Sequence, residues 1–201
     1  LAEIKGRDLK PKERMQLPQQ EMPTQKPEAR VKNMEEVALG YTPEEALVEA
    51  RRCLQCKNSP CVQGCPVGIR IPAFIKAIEE ENFAESVRII KESSLLPSIC
   101  GRVCPQEVQC QKNCTLGKSL KNQDLSVSIG RLERFVADWE RVSGKEVLPE
   151  VKSSTGKKVA IIGSGPAGIA AAADIRKEGH RVVIYEAFHK PGGVMVYGIP
   201  E

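Results

Sequence analysis

Cys53-Leu-Gln-Cys56-Lys-Asn-Ser-Pro-Cys61-Val-Gln-Gly-Cys65-Pro66 and Cys100-Gly-Arg-Val-Cys104-Pro-Gln-Glu-Val-Gln-Cys110-Gln-Lys-Asn-Cys114 carry all eight cysteines of the chain. Close thiolates on turns can surround one metal centre, because a single loop can aim several sulfurs inward. The first group is a slightly widened form of the bacterial ferredoxin run that ends in Cys-Pro. In two-cluster ferredoxins the last cysteine of such a run serves the other cluster. Chain reversal at Pro66 makes the same sharing an expectation for Cys65. Two structural zinc sites would also use eight cysteines, and Cys-x2-Cys spacing suits zinc. Zinc ribbons usually pair two such knuckles, however, and the second group has none. A disulfide framework requires an oxidising compartment. The start, Leu1-Ala-Glu-Ile-Lys5, does not read as a secretory signal. The expectation is therefore a cytoplasmic protein whose cysteines hold metal.

Helical signals surround the cysteines. Thr42-Pro43-Glu44-Glu45 has the form of a capping box with proline in the first turn, which predicts a helix to about Cys53. Two short helices are predicted over Ile71–Glu81 and Asn82–Ser93, the second capped by Asn82. Over Ser128–Val142 the apolar residues Ile129, Leu132, Phe135, Val136 and Trp139 recur at helical spacing. Residues 1–41 are rich in Pro, Lys, Glu and Gln and predict an extended arm or disorder. Residues 42–143 form the helical cysteine domain, and 144–156 read as a linker.

The texture changes from Lys157. Val159-Ala-Ile-Ile162 is a buried-strand run, Gly163–Lys177 an Ala-rich helix, and Arg181–Glu186 a second strand. The turn Gly163-Ser164-Gly165-Pro166-Ala167-Gly168 lies between strand and helix, with Glu186 ending the next strand. A lone G-x-G-x-x-G is a weak signal, but this one has the context of a dinucleotide fingerprint. Gly163 permits the tight turn, Gly165 lets a pyrophosphate approach the backbone, and Gly168 lets helix and strand pack closely. Glu186 would accept from ribose hydroxyls, and its charge disfavours a 2′-phosphate. Two strands and one helix do not complete a doubly wound sheet. Residues 157–201 are thus expected to be the beginning of such a domain, truncated in this chain or completed by another.

Composition excludes other classes. The chain has 201 residues, 41% hydrophobic, 28% charged and only 4% aromatic, with a formal charge of +4 from interspersed residues. There is no basic stripe with interleaved aromatics, so no nucleic-acid partner is expected. No apolar run approaches the roughly 18–20 residues that span a bilayer, so no membrane is expected. No nucleophile–base pair suggests hydrolysis, and no catalytic residue is assigned. His180 and His189 flank the second strand and read as surface residues.

Taken together, Cys53–Cys65, Cys100-Gly-Arg-Val-Cys104-Pro105, Ile129-Gly-Arg-Leu-Glu-Arg-Phe135 and Val159–Gly168 resemble a family of iron–sulfur flavoproteins. It comprises the small (β) subunit of NADPH-dependent glutamate synthase, the large subunit of NADH-dependent ferredoxin:NADP oxidoreductase and the N-terminal part of dihydropyrimidine dehydrogenase. Glu186-Ala-x4-Pro-Gly-Gly193, with Val194 following, and Tyr197-Gly-Ile-Pro-Glu201 look like that family's FAD-contacting segment. The resemblance implies a helical domain with two [4Fe–4S] clusters, then a Rossmann-like FAD domain, with NADPH bound by a domain not contained here. It further implies a redox partner such as the glutamate synthase large subunit, and oligomerisation. Cys53, Cys56, Cys61 and Cys114 would hold one cluster. Cys65, Cys104, Cys110 and Glu133 would hold the other, leaving Cys100 a free thiol. From the residues alone the fourth ligand of the second cluster stays open. Eight thiolates match two cubanes, which favours Cys100. Glu133 falls at the edge of the buried helix stripe, where iron or a salt bridge to Arg131 or Arg134 would satisfy it.

Overall fold

The computed structural model describes residues 6–146 and 148–199. In chain order its helices and strands are α1 (Pro11–Gln16), α2 (Pro27–Arg30), α3 (Pro43–Arg51), α4 (Pro60–Gln63), α5 (Ile71–Glu79), α6 (Phe83–Lys91), α7 (Pro97–Val103), α8 (Thr115–Ser119), α9 (Ile129–Ser143), β1 (Lys158–Ile162), α10 (Pro166–Lys177), β2 (Arg181–Tyr185) and α11 (Val194–Tyr197). Short 3₁₀ turns at Gln106–Val108, Gln111–Asn113 and Gln123–Leu125 link α7, α8 and α9. The mostly helical first part followed by a parallel two-stranded sheet is the α-helical, then Rossmann-like, order expected from the sequence. The chain divides into two units. One comprises the residues up to Thr24 with 38–147, and the other Gln25–Val37 with the residues from Leu148 onward.

In the first unit the caps follow local chemistry. Glu45 N–H donates to Thr42 Oγ1 (3.2 Å), and Thr42 N–H donates to Glu45 Oε2 (2.8 Å). Asn82 accepts from Glu85 N–H at the start of α6. The core joins α3, α5, α6 and α9 through Ala46, Phe74, Ile75, Ile78, Val87, Ile90, Leu132 and Val136, all almost fully buried. Phe83 meets Phe135 and Trp139 edge-on, with ring centroids 5.1 and 5.6 Å apart. Three of the chain's eight Phe, Tyr and Trp residues thus meet at this contact between α6 and α9.

The N-terminal segment is extended over much of its course, but it also forms α1. It is tied down by buried charge, which residue periodicity does not reveal. Arg14, 5% exposed, pairs with Glu79 (2.8 Å). Its Nη1 also donates to the carbonyls of Arg51 (3.1 Å) and Cys53 (3.0 Å). Glu49 accepts from the amides of Gln20 and Ser128 (both 2.8 Å) and from Arg52 Nη1 (2.7 Å). Arg52 donates onward to the carbonyls of Leu17, Leu125 and Ser126. A buried charge needs such a full set of partners to be tolerated. These pairs fasten the end of α3, where Cys53 begins the first cysteine loop.

In the second unit β1 and β2 run parallel, in register from Lys158 against Arg181 to Ile162 against Tyr185, with α10 as the crossover. Gly179, at φ +87°, turns the chain from α10 into β2. A Cβ there would lie 2.2 Å from Ser153 O, so the segment read as a linker packs on this turn. Lys152 N–H also donates to Lys177 O (2.8 Å), and Thr155 N–H to Gly179 O (3.1 Å). Residues 25–37 contain α2, and Gln25 N–H closes this excursion on Val37 O (2.8 Å).

Candidate iron–sulfur and dinucleotide sites

Cys53 follows the last turn of α3, Cys56 lies in the ensuing loop, Cys61 is in α4 and Cys65 just beyond it. The loop turns sharply at Gln55 (φ 50°) and Ser59 (φ 39°). Side-chain-bearing residues enter the left-handed region at a cost of roughly 1 kcal/mol or more each. The strain aims sulfurs inward. Cys100 lies in α7, Cys104 ends it, Cys110 sits between the two 3₁₀ turns and Cys114 caps α8.

Two close approaches interleave the groups. Gly64, between Cys61 and Cys65, lies against Gln109 and Asn113, which neighbour Cys110 and Cys114. A Cβ on residue 64 would be 2.4 Å from Asn113 Nδ2 and 2.7 Å from Gln109 O. As a result Cys114, distant in sequence, joins Cys53, Cys56 and Cys61 around one small cavity that Leu116 and Val127 help to wall. Cys65 crosses to the other side, beside Cys100, Cys104, Cys110 and Glu133. The other approach locks α7 to α9. A Cβ on Gly101 would be 2.6 Å from Arg134 N, and one on Gly130 would collide with the Gln106 side chain. The Gln106 amide in turn donates to Cys100 O (3.0 Å). These glycines and Gln106 were not singled out in the sequence. A glycine directly before or after a cysteine of each group was the available signal.

The electrostatics of both groups suit metal. Burial pushes the Cys53 thiol up to about 12, with repulsion from Cys61, Cys114 and Cys56 adding to it. Burial and the neighbouring Cys114 push Cys61 to about 11. In the second group burial raises Cys104 and Cys110 to about 12, with Cys100, Cys65 and Glu133 as the charged neighbours. Backbone N–H groups of Gln55, Val62 and Gln111 nevertheless point at the sulfurs of Cys53, Cys61 and Cys110. Burial keeps each of these crowded thiols protonated by itself, and a bound metal would reverse that balance, with the N–H donors in place to receive thiolates.

Glu133 is the sharpest case. It is 5% exposed, its Oε1 has no hydrogen-bond partner, and burial pushes its carboxyl up to about 8. The two arginines considered for it are engaged elsewhere. Arg131 reaches Gln20 O and Tyr41 Oη, and Arg134 reaches Ala38 O and Asp138. Among the described residues no ion pair includes Glu133. The donor set thus fits two iron–sulfur clusters: four thiolates on one side, and three or four thiolates with an orphaned carboxylate on the other. Among the described residues no three His, Cys, Asp or Glu side chains close on a point that would seat a single ion.

The region 30–145, more than half of the chain, matches the family model described as dihydropyrimidine dehydrogenase domain II, 4Fe-4S cluster. The chain belongs to this family. Residues 161–197 match the NAD(P)-binding Rossmann-like domain. Among curated relatives, the NAD-dependent dihydropyrimidine dehydrogenase subunit PreT of Escherichia coli O157:H7 is 40% identical over 168 residues, 84% of this chain and 40% of the relative. The glutamate synthase [NADPH] small chain of Halomonas elongata is 36% identical over 180 residues, 89% of this chain and 37% of that one. The putative oxidoreductase AegA of Escherichia coli K12 is 34% identical over 174 residues, 86% of this chain and 26% of the relative. The chain therefore spans two fifths or less of the length of these relatives.

In this 4Fe-4S family member the fingerprint turn sits at the C-terminal end of β1. Gly163 has φ +96° and donates its N–H to Tyr185 O (2.7 Å). A Cβ on Gly168 would lie 2.1 Å from Gly163 O, whereas one on Gly165 would meet nothing within 4 Å. Gly168 therefore serves packing, and the space over Gly165 is open to a ligand. Pro166 and Ala167 begin α10, whose N-terminus has no side-chain cap and leaves its first free N–H groups available to an anion. Glu186 Oε2 accepts from Ser164 N–H (2.9 Å) and Ser164 Oγ, and Oε1 from Phe188 N–H (2.9 Å). These donors, Phe188 N–H foremost, hold the carboxyl down at about 2. Ser164 Oγ also accepts from Gly192 N–H (3.0 Å), and a Cβ on Gly193 would meet Gly165 Cα at 2.8 Å. The Pro191-Gly-Gly193 turn is thereby folded onto the fingerprint, and Val194 begins α11 beside it. Among the described residues no helix is long and apolar enough to cross a membrane.

Proposed function

We propose that this chain is the electron-relay segment of an iron–sulfur flavoprotein oxidoreductase. It would carry two [4Fe–4S] clusters and contribute the pyrophosphate-binding turn of an FAD site. The observation that carries the reading is the crossing of ligands. Cys114 sits with Cys53, Cys56 and Cys61, while Cys65 sits with Cys104, Cys110 and Glu133. Interleaved loops hold two centres close together, as stepwise electron transfer needs. A [4Fe–4S] cluster, when bound, accepts and passes one electron at a time. The residues would supply its thiolates and aim N–H groups at the sulfurs, and Leu116 and Val127 would exclude water from the first site.

The open space over Gly165, the N-terminus of α10 and Glu186 support an adenine dinucleotide without a 2′-phosphate, which FAD satisfies. In the whole protein NADPH would reduce the flavin from another domain, and a partner subunit would receive electrons from the clusters in the cytoplasm. Two partners are proposed. Glutamate synthase large subunit is the first reading, and the 40% identity to PreT favours a dihydropyrimidine-reducing partner as the second.

Anaerobically purified protein should contain about eight irons and eight acid-labile sulfides per chain, two cubanes of four each. Stoichiometric zinc without sulfide would instead establish a zinc-stabilised module. In the full-length protein Gly165→Val should abolish FAD binding by filling the space over the turn. Retained flavin in that variant would remove the fingerprint from the FAD site.

A further inference from the structure

The second site gathers one donor more than a [4Fe–4S] cluster has irons. Cys65 and Glu133 each lie beside Cys100, Cys104 and Cys110, Cys100 and Cys104 also neighbour one another, and a [4Fe–4S] cluster takes four protein ligands. The surplus is built into the helix contact. Gly101 and Arg134 touch backbone to backbone, and the residues immediately before them are Cys100 and Glu133. Cys100 and Glu133 are neighbours across this contact. Cys100 and Cys104 are also four residues apart at the end of α7, on one face of it. Ser94 Oγ reaches Cys100 Sγ at 3.8 Å, and Gln106 holds the Cys100 carbonyl. Ser94 thus holds the thiol and Gln106 the backbone of Cys100, while Glu133 Oε1 lies buried without a partner.

We propose that Cys100 is a stand-by ligand of the second cluster, able to occupy the fourth iron position whenever Glu133 does not. The inference rests on the two-cluster reading with Glu133 as resident ligand. In the exchange the Cys100 thiol passes its proton to the released Glu133 carboxylate, so one thiolate charge replaces one carboxylate charge at iron. Neither oxidant nor reductant is required, and the charge of the site is conserved. Thiolate donates more electron density to iron than carboxylate, so the exchanged form is harder to reduce.

The test compares anaerobically prepared wild type, Glu133→Ala, Cys100→Ser and the double variant by iron and sulfide content, electron paramagnetic resonance and redox titration. Wild type and Cys100→Ser should each hold eight irons with the same potentials. Glu133→Ala should also hold eight, with one cluster shifted negative by at least about 59 mV, a tenfold change in a one-electron equilibrium. The double variant should fall to four, and the four irons of the first site then report that the domain is folded. Should the double variant yield no folded protein, Glu133→Gln with Cys100→Ser takes its place. Loss of four irons in Glu133→Ala alone would overturn the stand-by role and leave Glu133 as ligand. Eight irons with unchanged potentials in Glu133→Ala would overturn both. Loss of four irons in Cys100→Ser would make Cys100 the resident ligand and also overturn both.

Discussion

Gly101 packs its Cα against the backbone of Arg134, leaving no room for a side chain: a Cβ would stand 2.6 Å from the Arg134 nitrogen and 2.8 Å from its Cα. This contact sets the distance between α7 and α9 and hence between Cys104 and Glu133. Gly101→Ala should push the helices apart at an overpacking cost of about 1–3 kcal/mol. Chemical denaturation should show that loss, and iron content should fall from about eight toward four. Iron content equal to wild type would show that the helix spacing does not hold the second site.

Gly64→Ala should be harsher, because the loops it separates serve both sites. Its Cβ would meet the carbonyl of Gln109 as well as the Asn113 amide. Carbonyls cannot rotate away as a long side chain can. Iron analysis should show both clusters depleted, in contrast with the single depletion expected for Gly101→Ala.

Arg14→Met removes the guanidinium that holds Glu79 and the carbonyls of Arg51 and Cys53. Breaking a buried pair typically costs about 3–5 kcal/mol. Lys76, 3.4 Å from Glu79, softens the loss toward the lower figure. Denaturant titration should report it, and adding Glu79→Leu should recover part of it. No recovery would mean that the carbonyl contacts, not the ion pair, carry the stability.

Glu186 organises the fingerprint turn through charge-accepting bonds from Ser164 and Phe188. Its folded value, about 2, lies below the ordinary carboxylate range. The contribution is therefore complete above the unfolded value of about 4.3 and is lost as pH falls through about 2. The amide resonances of Ser164 and Phe188 should titrate with a midpoint near 2, and both should lose hydrogen-exchange protection in Glu186→Gln. A midpoint near 4 would show that these bonds do not form.

Gly168→Ala places a methyl 2.1 Å from Gly163 O, so α10 must move off β1. Circular dichroism should show weakened α10, and the full-length protein should lose flavin. Gly165→Ala, whose methyl meets nothing, should leave the fold unchanged.

Much of this was legible in the chain itself. Thr42 and Glu45, Asn82, and the recurrence of Ile129, Leu132, Phe135 and Val136 mark helices because caps and amphipathic faces are local properties. Gly163–Gly168 with Glu186 marks a dinucleotide turn because strand, turn and helix are contiguous. The cysteine spacing points to metal for the same reason. Spacing and the proline after Cys65 point to Cys65 serving the other centre, but they do not contain the meeting of Cys114 with the first group. The structure brings Cys114 to the first group and Cys65 to the second because Gly64 permits the loops to touch. Nor does periodicity reveal that Arg14 and Glu49 are buried, since a charged residue is placed inside only by partners remote in sequence. Glu186 accepts from Ser164, a contact that exists only once β1 and β2 pair. The sequence by itself determined the elements and the chemistry of their side chains, through interactions within a few residues. Only the tertiary structure decided how two cysteine groups become two sites and left Glu133 Oε1 without a partner, because close packing of backbones at Gly64, Gly101 and Gly130 acts between segments far apart in the chain.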